Sequence, residues 1–139
     1  MALTEDALID RVRAVAVAQG LMEAIGFDFL KQPSLAVDKA FIVAFQGDTP
    51  NALIGMQEEA RGVVTVQGVT VRNNDDQTAR RTAWQKMRAV FNALVRDGAI
   101  TSGEYAVESG NRTFRVEAPK GANYFVWSLT AAVNFEASL

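Results

Sequence analysis

The chain has 139 residues, 49% of them hydrophobic, with a net charge of −2, no cysteine and no histidine. That length suits one domain, able to bury about 68–70% of its unfolded surface. The acidic balance argues against a surface that clamps nucleic acid all over. Lack of cysteine and histidine removes disulfides, thiolate nucleophiles, most zinc sites and the commonest general base.

Thr4 is placed to cap a first helix over about 4–20, with Glu5 and Asp6 in its first turn beside the positive end of the dipole. Leu8, Val12, Val15, Ala16 and Met22 recur at helical spacing, while Asp10, Arg11 and Arg13 lie off that face. The segment lacks an apolar signal core and no run reaches the roughly 18–20 apolar residues of a membrane helix, so a protein that folds in a cytoplasm is expected. Gly20 or Gly26 closes the helix, and the stretch around Pro33 reads as a loop or short extended piece.

Residues 40–45, AFIVAF, are apolar at both parities, which predicts a central strand covered on both faces and ended by the turn GDTP. Residues 47–62 read as a mobile excursion carrying Glu58 and Glu59. In 62–73, GVVTVQGVTVRN, Val64 and Val66 share one parity and Val69 and Val71 the other, which predicts a β-bulge at Gly68. Asn73, Asn74 and Asp75 lead into the strongest helix, 75–97. Its stripe is Ala83, Met87, Val90, Phe91, Leu94 and Val95, with Trp84 at the edge and Gly98 where a C′ glycine belongs. Arg80 falls, by phase, near the middle of that stripe and is expected to extend past the core edge.

Segments 103–109 and 112–118 flank Gly110 and Asn111 and read as a hairpin, and PKGAN (119–123) turns into the last strand. From Tyr124 to Ala137 the chain alternates without a break: Phe125, Trp127, Leu129, Ala131, Val133, Phe135 and Ala137 share one face. Typical strands have about five or six residues, so this one is long. It is expected to be the floor on which both helices pack. Its mixed opposite face and its edge are the expected partner surface, with Thr130 at the middle. The fold class is α+β: a twisted, mostly antiparallel sheet with a long C-terminal strand and two helices.

No residue set points to a reaction. The ten glycines match no phosphate-binding fingerprint. Adjacent acids, Glu58/Glu59 and Asp75/Asp76, point apart and do not converge on a substrate or metal. A lysine- or carboxylate-based activity would need Lys31, Lys39, Lys86 or Lys120 buried beside acids, and the sequence offers no sign of this; catalytic, cofactor-binding and metal sites are all expected to be absent. Asn111-Arg112-Thr113 matches a glycosylation sequon but comes with no secretory signal. The suggestive feature is a polar row on the second helix. Arg81, Gln85, Arg88 and Asn92 stand at i, i+4, i+7 and i+11, with Arg96 nearby. Such a row is most often a solvated face, and its functional reading is a contact with an acidic partner or with nucleic acid in a channel. Aromatics are not interleaved with it, so a stacking platform for single strands is not expected.

Taken in order, the helix TEDALIDRVRAVAVAQ, the strand AFIVAF, the strand VVTVQGVTV running into DDQTARRTAWQKMRAVFNALV, and the ending YFVWSLTAAVNFEASL form a layout. This layout resembles the tail-terminator (minor tail protein U-like) family of long-tailed bacteriophages and related head–tail joining proteins. The resemblance implies a virion subunit without enzymatic activity or cofactor, made in the host cytoplasm. It would assemble with itself into a hexameric ring, cap the tail tube protein, stop its polymerisation and meet the head–tail connector protein. DNA would be met only in the lumen, and no membrane would be involved. The alternatives are another neck or tail-tube component, or a non-viral cytoplasmic protein-binding adaptor domain.

Overall fold

A computed structural model describes residues 4–23, 40–54, 57–71, 76–118 and 124–138. Residues 24–39, with the expected loop around Pro33, 72–75, with the expected capping residues, and 119–123, with the expected turn, lie outside them, as do Lys31, Lys39 and Lys120.

The first helix, α1 (Glu5–Ala18), starts where the Ala7 amide donates to Thr4 Oγ1 at 3.1 Å. It ends at Gly20, whose φ of +87° suits a residue without a β-carbon. The Gly20 amide donates to Val17 O at 3.0 Å and that of Leu21 to Ala16 O at 3.4 Å, which closes the helix end with Leu21 buried. Met22 is therefore not on α1 but begins a short strand, β1 (Met22–Glu23).

Three strands of 15 residues follow in the sheet: β2 (Ala40–Ile54), β3 (Gln57–Val71) and β5 (Tyr124–Ser138), with β4 (Tyr105–Glu117) between β3 and β5 in sequence. The order across the sheet is β1-β2-β3-β5-β4. Among the described residues only β1/β2 is parallel; the other pairs are antiparallel. The second helix, α2 (Asp76–Arg96), runs on into a π-helical turn, Asp97–Thr101. Both helices cover one face of the sheet. Leu8, Val12 and Ala16 of α1 share a core with Ala83, Met87, Val90, Phe91 and Leu94 of α2. The floor is Trp127, Leu129, Ala131, Val133 and Phe135, with Phe125 also fully buried, as the alternation of the last strand predicts. The α+β class and the two expected helices are present.

Several local expectations are corrected. The 47–62 excursion is a pair of long strands, joined in register from Phe41↔Gly68 to Ile54↔Gln57. The expected GDTP turn is absorbed as irregularities in β2, with register shifts between Phe45 and Asp48 and between Pro50 and Ala52. Proline has no amide to donate, so a ladder break beside Pro50 is its natural accommodation.

There is no bulge at Gly68, because β3 pairs with β5 without interruption from Gln57↔Ser138 to Val71↔Tyr124. The parity switch has another cause. Gly68 stands opposite Trp127 on the helix-covered face, and the indole occupies the space a side chain would need. Val69 then points to the other face, where it too is buried.

The 103–118 hairpin is also corrected to a single strand, since both halves of β4 pair with β5. Val107 pairs with Val133 and Arg112 with Ala131, so the residues between them form a large bulge. A two-residue hairpin turn needs positive φ, and Gly110 does not adopt it. Gly98 is not a left-handed C′ residue either. A β-carbon there would lie 2.5 Å from Tyr105 O, so the glycine allows close approach of β4 to the end of α2.

Candidate interaction surface

The sheet order decides which backbone is available to a partner. β5 lies between β3 and β4, so the edge expected on the last strand is already paired. Thr130 has Thr65 on one side and Thr113 on the other. Its hydroxyl is within 3.2 Å of Thr65 Oγ1, and Gln67 Nε2 donates to Ser128 Oγ at 3.1 Å on the same face. These polar groups, expected to meet a partner, satisfy each other. At the sheet's other end β4 pairs only with β5 among the described residues, and is the long edge strand.

A second group on that outer face was not legible in the sequence. Arg61 Nε donates to Glu108 Oε2 at 2.6 Å and Asn134 Nδ2 donates to the same oxygen at 3.0 Å. The bulge in β4 brings Glu108 to them. Glu58 and Glu59 lie on β3 rather than in a loop, paired with Leu53 and Ala52 on one side and Ala137 and Glu136 on the other.

On α2, Arg81, Gln85, Arg88, Asn92 and Arg96 are all exposed, so the helical phase was read correctly. Among the described residues, no carboxylate lies within ion-pairing distance of Arg81, Arg88 or Arg96. Arg80 follows the snorkelling expectation and lies over the Phe125 ring, 4.7 Å from its centroid.

Aromatic residues do accompany this row, contrary to the sequence reading. Trp84 is 45% exposed, and its ring centroid is 5.7 Å from that of Phe114 on β4. Phe114 meets Phe91 edge-on at 5.9 Å. The Arg112 guanidinium lies over both phenyl rings, 4.7 Å from Phe91 and 5.0 Å from Phe114. Helix periodicity placed Trp84 at the edge of the stripe, but its neighbours on β4 are 28 and 30 positions away in sequence and only folding brings them together. The product is a flank, between α2 and the β4 edge, of exposed apolar surface beside cationic groups. Exposed tryptophan with arginine is the composition of protein-binding hot spots.

No protein-family model and no curated protein matches this sequence.

Other features have structural explanations. A cleft of about 170 Å³ is lined by Gln19, Leu21, Gln85, Lys86, Ala89 and Val90 between the helices. It is smaller than the roughly 300–1,000 Å³ of small-molecule sites. Lys86 at its margin donates to Val69 O at 3.4 Å and Thr70 Oγ1 at 3.3 Å, which ties α2 to the sheet. Asp97 accepts from Arg11 Nη2 at 2.8 Å and from the Tyr105 hydroxyl at 2.6 Å, and so joins α1, the end of α2 and β4. Burial pushes the Tyr105 hydroxyl well above the ordinary tyrosine range, and the bond to Asp97 and its charge add to this. Among the described residues no cluster of acids could hold a metal ion, and no helix is long and apolar enough to cross a membrane.

Proposed function

We propose that this chain is a structural subunit of the tail-terminator type, which assembles head-to-tail into a ring that caps a tail tube and joins it to the head connector. The reading rests on the layout of elements described above. The observation that carries it furthest is the division of labour in the fold. The last strand is sealed into the middle of the sheet, while the exposed, cation-rich aromatic flank sits at one lateral end beside the edge strand β4. Binding surface at one lateral end, with a different surface at the other, favours a heterologous contact. Such contacts close into rings when the rotation between neighbours closes.

Sedimentation velocity over a wide concentration range, together with negative-stain imaging, tests the proposal. Closed rings that block elongation of a long-tailed phage's tube in vitro are expected. A strict monomer at the highest concentration that also leaves tube growth unchanged would sink it.

A further inference from the structure

The two lateral ends of the molecule differ in charge as well as shape. At the β4 end, Arg81, Trp84 and Arg88 on α2 stand on the same flank as Arg112 and Phe114 on the edge strand. Trp84 and Arg88 are one helical turn apart and so are neighbours on the surface. Arg112 is held by the aromatic rings, with no acid in ion-pairing distance among the described residues, so its charge is available to a partner.

At the β1 end, α1 turns Leu8, Val12, Val15 and Ala16 inward. Its exposed positions include Asp6, Asp10 and Val17, the last 52% exposed. Glu23 on β1 lies at the same end and is exposed. Arg11 is engaged by Asp97. Arg13 is shared between Glu23, at 2.8 Å, and Asp10, at 3.4 Å. Asp6, Asp10 and Glu23 outnumber Arg13, which is already shared by the last two, so this end is net acidic, with exposed Val17 on the same helix face.

We propose that the Trp84–Arg88–Arg112–Phe114 flank is the docking surface for the acidic α1 flank, Asp6, Asp10 and Val17, of a second copy of this chain. The assignment rests on the ring reading and says which surfaces form the ring contact. A second copy is favoured over nucleic acid because the chain itself carries the complement: an acidic helix face with exposed apolar area, at the opposite end of the sheet. A contact between unlike ends leaves both surfaces available for further copies, as a ring requires. Trp84 is the expected anchor, and the arginine–carboxylate pairs set register and exclude wrong approaches.

Charge reversal and its rescue provide the test. Arg88→Glu and Asp10→Arg should each weaken self-association about tenfold or more, and Trp84→Ala should do at least as much. Combining Arg88→Glu with Asp10→Arg should restore association toward the wild-type level, which loss of folding would not do. Thermal melts of each variant, all at exposed positions, establish that the subunit remains folded. If the variants form wild-type rings, this surface assignment is overturned while the ring reading stands. If the wild-type chain is monomeric at every concentration and leaves tube growth unchanged, both fail.

Discussion

The six-membered ring of Trp127 lies against the backbone of Gly68 so closely that a β-carbon at that position would sit 2.1 Å from Cζ2. Trp127 is fully buried, and the glycine is its direct cross-strand neighbour. Gly68→Ala should therefore destabilise the fold by about 1–3 kcal/mol, the usual cost of overpacking. Urea denaturation would show it as a lower midpoint. Trp127→Leu is destabilising alone because it leaves a cavity, but in the Gly68→Ala background its cost should be smaller, since the ring is what the methyl group strikes. Strict additivity in this double-mutant cycle would show that the two residues do not compete for space.

Gly20 offers a separate test of backbone conformation. Its φ of +87° is left-handed, and the space around it is open. Gly20→Ala should cost about 1–2 kcal/mol through conformation alone. An unchanged melting temperature would mean that the helix end readily adopts another geometry.

Thr130 distinguishes a sealed strand from an edge. A proline there loses its ladder hydrogen bond and disrupts a strand paired on both sides, so Thr130→Pro should abolish folding, visible as loss of cooperative unfolding. Thr130→Val keeps the shape and removes the hydroxyl facing Thr65, and should cost only about 1 kcal/mol. A stably folded proline variant would contradict the strand order.

Alkaline pH should probe the Tyr105–Asp97 bond. The folded state raises the tyrosine's pKa above its ordinary value of 10.0, because burial and Asp97 disfavour the phenolate. The protonated hydroxyl is thus favoured by folding. Its contribution is fully present below about pH 10 and is lost as pH rises above that, through the raised folded value. Melting temperature measured from pH 8 to 11 should fall more steeply for the wild type than for Tyr105→Phe. Parallel curves would mean that the hydroxyl titrates alike in both states.

Asp97 serves two donors, so its removal should cost more than removal of either one. Asp97→Ala leaves the buried Tyr105 hydroxyl without an acceptor and frees Arg11, at a cost of about 2 kcal/mol. Arg11→Ala, at a position more exposed to solvent, should cost less than half of that. Equal losses in chemical denaturation would show that the ion pair, rather than the shared acceptor, holds the helix ends.

Local pattern was sufficient for every element whose partners do not alter its reading. The Thr4 cap, the two helix faces apart from Met22 and the alternation of Phe125 to Phe135 follow from spacing, because helix and strand periods act on residues close in sequence, whereas the choice of Gly20 over Gly26 as the stop of α1 came from the structure. Turn signals were less dependable. Gly47, Pro50, Gly110 and Asn111 all suggested chain reversal, yet each lies within a strand where an irregular ladder absorbs it.

The long C-terminal strand and its buried face were legible in the sequence alone: unbroken period-two alternation of apolar residues fits the two faces of a strand and not the period of a helix. Tertiary structure decided where that strand stands. Pairing between β5 and both β3 and β4 depends on residues up to 81 positions apart, Gln57 and Ser138, and no local signal encodes it. Because those pairings put β5 in the interior and β4 at the edge, the exposed surface passes from the last strand to Trp84, Arg88 and Arg112. Their proximity arises from packing, and packing is a property of the whole chain.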